Sequence, residues 1–370
     1  MTHLVACIPS GFFAHLQDNK RITRMTRCIA LMGLILLFSA VPPAANACTR
    51  ILYETGSGDF IVGRTLDWNE DTATDLWAFP KGMQRDGGAG NGSIKWVSRY
   101  GSVVASIYDI ASVDGMNQAG LVGNMLYLAE ADYGAEANSG KPGLSVGAWL
   151  QYALDNYATV AEAVRGLQAE PFRIVAPKMP TGDPAGAHLA LSDSSGDSAI
   201  FEYVGGKLVV HQGRQYTVMT NSPIYEKQLA INTYWEEIGG ATMLPGTYRA
   251  ADRFVRASYN LKAAPKVDDP RLAISTVFSM ARTISVPIGI DDPQRPNIAT
   301  TIWRTVSDSK AQRYYHESVF SPAVFWVDIS KLDLSQGAAP RKLELKDRPI
   351  LAGEVSEKFV AAAPFPWLTH

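Results

Sequence analysis

Cys48 follows the small-x-small triplet Ala45-Asn46-Ala47 and opens the β-prone stretch Thr49–Glu54. Upstream, residues 29–41 form an apolar run closed by Pro42-Pro43, and Lys20, Arg21, Arg24 and Arg27 make a basic region before it. This is the layout of an export leader. A membrane-spanning helix needs ~20 apolar residues, and this run is shorter. Met25 is a second candidate start; it would leave Arg27 as the basic residue of the leader. A cut after Ala47 makes Cys48 the first residue of the mature chain, with a thiol and a free α-amine on one residue. The thiolate is the nucleophilic form, and an unperturbed thiol titrates near ~8.5. The α-amine titrates at ~7.7–8.0, so it is a base poised near neutral pH. Threonine paired with an N-terminal amine follows the same logic, and no histidine is needed.

Cysteine usage points the same way. The sequence has three cysteines, and Cys7 and Cys28 fall in the leader. An exported chain keeps Cys48 alone, so no intramolecular disulfide can form, and an unpaired thiol outside the cytosol marks a reactive group. Two charged residues return to it. The turn at residues 56–59 and the strand expected at 60–66 make a hairpin with Thr49–Glu54, which brings Arg64 and Asp67 of Gly63-Arg64-Thr65-Leu66-Asp67-Trp68 back beside the cysteine. A guanidinium near sulfur favours the thiolate. A carboxylate there can hold the amine through a charge-assisted hydrogen bond. Beyond the leader the histidines are His188, His211, His316 and His370. A papain-like Cys–His pair would draw on His188 or His211; His211 and His316 otherwise read as ordinary strand or surface residues. No HExxH or Cys/His cluster has metal-ligand spacing, and the glycine-rich stretch at 87–92 lacks GxGxxG spacing. No metal and no cofactor are expected.

The elements that must carry these groups alternate between strands and helices. Strands are expected at 49–54, 60–66, 76–79, 93–97, 102–110 and 121–128, with Asp114-Gly115-Met116-Asn117 as a turn between the last two. Val146, Trp149, Leu150, Ala153, Leu154 and Tyr157 share one helical face. Thr159 with Glu162 forms a capping box that opens a second helix at 160–167. Strands follow at 188–191, 199–203, 207–211 and 216–219. Helices come next at 226–238, 249–262 and 272–284, and then strands at 300–306, 313–316 and 324–329. That order predicts α+β architecture, sheets covered by helices, in one domain over 48–370. The chain carries a net charge of −2, and loss of the leader makes it about −5. Nucleic acid and anionic membrane favour a basic patch, which this balance does not supply, so neither is an expected partner.

Read together, Cys48, Gly63-Arg64-Thr65-Leu66-Asp67-Trp68, Asp114-Gly115-Met116-Asn117, Thr220-Asn221-Ser222-Pro223 and Ala251-Asp252-Arg253-Phe254-Val255-Arg256 resemble the choloylglycine hydrolase family of N-terminal-nucleophile hydrolases. Asp67-Trp68, Leu126-Tyr127-Leu128 and Leu244-Pro245-Gly246 resemble the penicillin V acylases of Gram-negative bacteria most closely. The resemblance implies a four-layer αββα sandwich and hydrolysis of a linear amide C–N bond. It implies Cys48 as nucleophile, with Arg64 and Asp67 beside it. Asn221 matches the asparagine that stabilises the tetrahedral oxyanion, and Arg253 a further active-site arginine. Tyr127 stands where bile acid hydrolases commonly carry asparagine, so its backbone N–H would serve the oxyanion while its ring lines the pocket. A homotetramer is also implied.

Trp68 and Tyr127 suggest an aromatic or long apolar acyl group: the phenoxy ring of penicillin V, or the tail of an N-acyl homoserine lactone. A conjugated bile salt is the alternative within the family, and an acid ceramidase-like amidase of lipid amides a rival beside it. The rival from another class is an exported lipoprotein with Cys48 lipidated and a binding role. The lipid signal usually wants leucine three positions before the cysteine, where this chain has Ala45. A periplasmic or secreted enzyme acting on a small-molecule amide, with no stable membrane anchor, is the expectation.

Overall fold

The computed structural model describes residues 48–134, 140–290, 299–321 and 323–369. The leader at 1–47, with its cleavage site, and His370 lie outside the described residues. The chain divides into two units, Met1–Pro43 and Ala44–His370, and all that follows belongs to the second.

The described residues contain twenty strands and five α-helices. The strands begin β1 Thr49–Glu54, β2 Phe60–Trp68, β3 Leu76–Phe79, β4 Gln84–Asp86, β5 Lys95–Val97, β6 Ser102–Ile107, β7 Ala111–Asn117 and β8 Val122–Tyr127. After β9 Gly143–Ser145 come helices α1 Val146–Asn156 and α2 Val160–Gln168. Strands β10 Arg173–Val175, β11 Ala187–Ser192, β12 Ser198–Val204, β13 Lys207–Gln212 and β14 Val218–Thr220 lead to helices α3 Tyr225–Ile238, α4 Ala250–Ala263 and α5 Pro270–Thr283. The chain then runs through β15 Thr300–Asp308, β16 Arg313–Ser318, β17 Val324–Asp328, β18 Arg341–Leu343, β19 Gly353–Glu354 and β20 Val360–Ala361.

Two large sheets face each other. One has the order β14-β1-β2-β15-β16-β17-β19, the other β13-β12-β11-β8-β7-β6-β3-β18-β20. Strand parity sorts their faces. Arg50 and Arg64 point from the first sheet into the gap, where Arg50 reaches Ser192 and Ser198 and Arg64 reaches Asp114, all on the second. The opposite faces carry the helices. Helix α1 lies on β7 and β8 and α2 on β12 and β13, while α4 covers β1 and β14 and α5 covers β2 and β15. The fold is a four-layer αββα sandwich.

Local chemistry explains much of this. Ser145 caps α1 by accepting from the Gly147 N–H at 3.2 Å, and Thr159 caps α2 through the Glu162 N–H at 3.2 Å. Glu162 reaches back to the Ala158 N–H at 2.9 Å, one residue beyond the reciprocal bond of a capping box. Asp269 caps α5, whose first residue is Pro270.

Two expectations fail between residues 102 and 121. The strand expected at 102–110 ends at Ile107, because Tyr108 and Asp109 both adopt positive φ and turn the chain into β7. No Asn-Gly or Asp-Gly pair announces this turn. Tertiary contacts hold it instead: Asp109 accepts from Trp77 Nε1 at 3.1 Å and Ser106 Oγ at 2.9 Å. Asp114-Gly115-Met116-Asn117, expected as a turn, runs inside β7 with every residue buried. The turn comes later, where Asn117 Oδ1 accepts from the N–H groups of Ala119 and Leu121, each at 3.0 Å.

Gly115 pairs with Val104 on one side and Gly123 on the other. A Cβ on Gly115 would stand 2.5 Å from the Val103 carbonyl oxygen, which the ladder holds in place. Overpacking of this kind costs about 1–3 kcal/mol. Gly115→Ala should therefore lower the urea midpoint with an unchanged slope; an unaltered midpoint would show that the ladder yields freely.

Candidate active site

Cys48 is fixed by the strand it begins. In β1, Thr49 pairs with Thr65 of β2 on one side and Thr220 of β14 on the other. Continuing that antiparallel register by one residue sets Cys48 across from Asn221. The Thr49 N–H also donates to Thr65 Oγ1 at 3.1 Å. The thiol is buried, and its Sγ lies 3.5 Å from the Asp67 N–H and 4.0 Å from Arg64 Nη2. Cys48 is the free cysteine of the described residues.

Arg64 is fully enclosed and held on three sides. Its Nη2 donates to the Met125 carbonyl at 3.0 Å, its Nη1 lies 3.6 Å from Asp114 Oδ2, and its guanidinium stacks 4.6 Å from the Trp303 ring. Asp114 is in turn bonded by Tyr314 Oη at 2.6 Å, Asn124 Nδ2 at 2.7 Å and Thr305 Oγ1 at 3.1 Å. Each of these groups can donate to a carboxylate, and together they make up for lost solvent. Burial pushes the Asp114 carboxyl above its usual range, and Arg64 pulls against it. Trp303 is oriented by its Nε1–H bond to Thr74 Oγ1 at 2.9 Å.

Asp67 points to the other face of β2, toward helix α4. Arg253 Nη1 donates to its Oδ2 at 2.5 Å and Thr65 Oγ1 to the same oxygen at 3.1 Å, while Thr301 Oγ1 donates to Oδ1 at 2.5 Å. A carboxylate offers about four acceptor directions, so these three bonds leave room for one more donor. Arg253 Nη2 also donates to the Cys48 carbonyl at 3.2 Å. The helix layer thereby grips the backbone of the cysteine as well as the acid. Burial raises the Asp67 pKa, offset by Arg253 and the two hydroxyls. Burial likewise pushes the Cys48 thiol up, Arg64 draws it down, and Asp67 raises it further.

Four of the residues singled out from sequence, Cys48, Arg64, Asp67 and Arg253, thus meet directly. Asn221 follows β14, and its side chain is buried with neither Oδ1 nor Nδ2 bonded by any of the described residues. A buried amide left unpaired costs about 1–3 kcal/mol, which makes this a poor structural residue. Trp68 and Tyr127 meet edge to face, ring centroids 6.0 Å apart. Tyr127 is partly exposed and two residues beyond Met125, the acceptor of Arg64.

The three described histidines stand elsewhere. His188 Nδ1 is bonded to Glu202 at 2.8 Å, and His211 lies against the rings of Tyr216 and Tyr225. His316 is a buried strand residue between Trp303 and Phe325, its pKa pushed down to about 3 by desolvation. The hydrogen bonds made at the thiol come from Asp67 and Arg64, with no histidine among them.

Sequence reasoning did not single out Thr65, Thr301, Trp303 or Tyr314, and took Asp114 for a turn residue. For Asp114 a signal was present: an acid two residues from Ser112 and Met116 in a stretch that alternates like a strand. Thr301 and Trp303 carried none. Thr301 lies 234 residues from Asp67 in the sequence, and the strand that carries both residues pairs with β2 with a register shift between them.

With this geometry in view, comparison with known proteins is direct. A family model described as linear amide C–N hydrolases, choloylglycine hydrolase family, matches residues 48–347. A penicillin V acylase of Pectobacterium atrosepticum is 46% identical over 375 residues, covering 95% of this chain and 98% of that protein. A bile salt hydrolase/transferase of Bifidobacterium longum is 22% identical over 306 residues, covering 75% and 93%. Among solved structures, penicillin V acylase from Agrobacterium tumefaciens superposes with a TM-score of 0.81 at 51% identity, over 87% of this chain and all of that one. The conjugated bile acid hydrolase of Clostridium perfringens shares the fold, with a TM-score of 0.68 at 21% identity over 80% and 97% of the two chains. The matched span opens on Cys48 itself and takes in every residue of the cluster around it, and on this match the chain belongs to the choloylglycine hydrolase family, as an amide hydrolase of the penicillin V acylase-like kind.

Proposed function

We propose that the chain is a cysteine N-terminal-nucleophile amidase that removes an aromatic or long apolar acyl group from a linear amide, and that loss of residues 1–47 supplies its base. The observation that carries this reading is the position of Cys48 at the head of β1, with a guanidinium 4.0 Å and a backbone N–H 3.5 Å from sulfur. In the uncut chain the Cys48 nitrogen belongs to a peptide bond and cannot accept a proton. Once freed, it takes the thiol proton as Sγ attacks the amide carbonyl. Asp67, with one acceptor direction left, holds the amine. The proton passes to the leaving nitrogen as the C–N bond breaks, and a thioester remains. Water, deprotonated by the same amine, then releases the acid and regenerates the thiol. Asn221, with the backbone N–H at Tyr127, meets the developing oxyanion.

The edge-to-face pair Trp68–Tyr127 supports an aromatic wall for the acyl group, and the two relatives at 46% and 51% identity are named penicillin V acylases. The same wall suits the tail of an N-acyl homoserine lactone. A bile conjugate is the second reading, on the strength of relatives named bile salt hydrolase/transferase. Export to the periplasm or beyond follows if residues 1–47 are the leader they resemble. A lipidated Cys48 would have no free amine and no base, and intact mass separates the two states.

The deciding experiment assays the purified protein on penicillin V, N-acyl homoserine lactones of graded length, glycocholate and an N-acylethanolamine, with its N-terminus sequenced alongside. The expected result is a chain beginning at Cys48 that turns over penicillin V with the highest kcat/KM. Full activity in a form retaining residues before Cys48 would defeat the free-amine mechanism, and preference for glycocholate would move the substrate class.

Two substitutions probe the parts. Asn221→Ala should lower kcat by about two to three decades, the usual value of one oxyanion donor, and a loss under about threefold would take Asn221 out of the mechanism. Because burial raises the thiol pKa and Arg64 lowers it, Arg64→Met should slow alkylation of Cys48 at neutral pH. The inflection of rate against pH should move upward, and less so in Arg64→Lys, which keeps the charge. An inflection that stays in place in Arg64→Met would refute the electrostatic role.

A further inference from the structure

No group among the described residues bonds the Asn221 side-chain amide, so its backbone aims it. That backbone lies in residues 221–224, between the last residue of β14 and the first of α3. Helix α3 carries no side-chain cap of its own: Ile224 occupies the cap position. Two buried side chains do the work instead. Glu202, from the facing sheet, accepts the Tyr225 N–H on both oxygens, at 2.9 and 3.1 Å, while His188 holds Glu202 at 2.8 Å. A carboxylate at a helix N-terminus satisfies both the open N–H and the dipole.

Gln228, one turn into α3 and fully buried, grips the turn from inside. Its Nε2 donates to the Thr220 carbonyl at 3.1 Å, to the Pro223 carbonyl at 2.5 Å and to the Asn221 carbonyl. Its Oε1 accepts from Thr220 Oγ1 at 3.1 Å and the Thr220 N–H at 3.4 Å. An amide has two N–H groups, so three carbonyls converge on two protons. Every polar atom of this side chain is engaged with the peptide groups that bracket Asn221.

We propose that Gln228 is a positioning residue for the amide reaction: its side-chain amide clamps the carbonyls on both sides of the turn and thereby aims the unbonded Asn221 amide at the oxyanion position. The inference rests on the reading of Asn221 as an oxyanion donor. It assigns Gln228 no contact with substrate. A donor displaced by about 1 Å can lose up to about a hundredfold in rate, so loosening this clamp should be felt in kcat.

The experiment is a double-mutant cycle on the mature enzyme with penicillin V as substrate. Gln228→Glu keeps the shape and the acceptor for Thr220 while removing both donors; Gln228→Met, of similar length and uncharged, takes its place should the buried carboxylate prevent folding. Either variant should lower kcat by about ten- to a hundredfold with KM within about threefold, and leave the rate of Cys48 alkylation by iodoacetamide unchanged. In an Asn221→Ala background the same change should cost less than about twofold, because the group it aims is gone. Losses that multiply in the double mutant, or alkylation that slows along with turnover, would overturn the clamp and leave the Asn221 reading standing. Asn221→Ala at full activity would remove that reading, and the clamp with it.

Discussion

The site depends on the ladder that holds β1 between β2 and β14. Thr49 is paired on both sides, and the residue before it is the cysteine. Because side chains alternate along a strand, a slip of β1 by one residue would turn Cys48 and Arg50 out of the gap between the sheets, away from Arg64, and the same slip of β2 would turn Arg64 out and Asp67 away from α4. Cys48, the guanidinium beside it and the carboxylate behind it therefore depend on one ladder. A ladder paired on both edges resists such slippage, since moving β1 would break two sets of bonds at once.

The second constraint is charge in a dry interior. Arg50, Arg64 and Arg253 are among the largest fully buried side chains. Their contacts reach across layers: Arg50 donates to Ser192 and Ser198 of the facing sheet as well as to the Tyr216 carbonyl, Arg64 to the Met125 carbonyl with Asp114 beside it, and Arg253 to Asp67 and the Cys48 carbonyl, while the Nε of each has no hydrogen-bond partner among the described residues. Breaking a buried pair by removing one partner is costly, because the other is left charged and unsolvated. These contacts thus tie helix to sheet and sheet to sheet. They also fix dipoles around the sulfur before any substrate arrives, which is the kind of preorganisation that lowers barriers.

The relatives divide fold from substrate. A bile acid hydrolase at 21% identity shares the architecture, and a fold of this kind hosts more than one acyl group. The proposed acyl wall of this chain is local: the Trp68 ring on β2 and the Tyr127 ring at the end of β8, in contact with each other.

How much of this could be read from residue order follows from the range of each interaction. Cys48, Arg64 and Asp67 were legible because one short hairpin joins them, and a hairpin is written in its own turn residues and alternation. The helices at 146–168 were legible from one periodic face and the Thr159 cap. The Tyr108-Asp109 turn was not, since its unusual backbone is held by Trp77 and Ser106 rather than by glycine. Asp114 was misplaced for a related reason: an acid beside glycine looks like a turn until Arg64, from the other sheet, gives it a partner. Thr301, Trp303 and Gln228 had no local mark at all, because what they do is set by strand pairing and helix docking across long stretches of chain. The sequence by itself determined which cysteine is the candidate nucleophile, the two charged groups one hairpin away and the layered class of the fold. Only the tertiary structure decided which buried groups hold those charges in place, because desolvation makes partners compulsory and long-range packing chooses them.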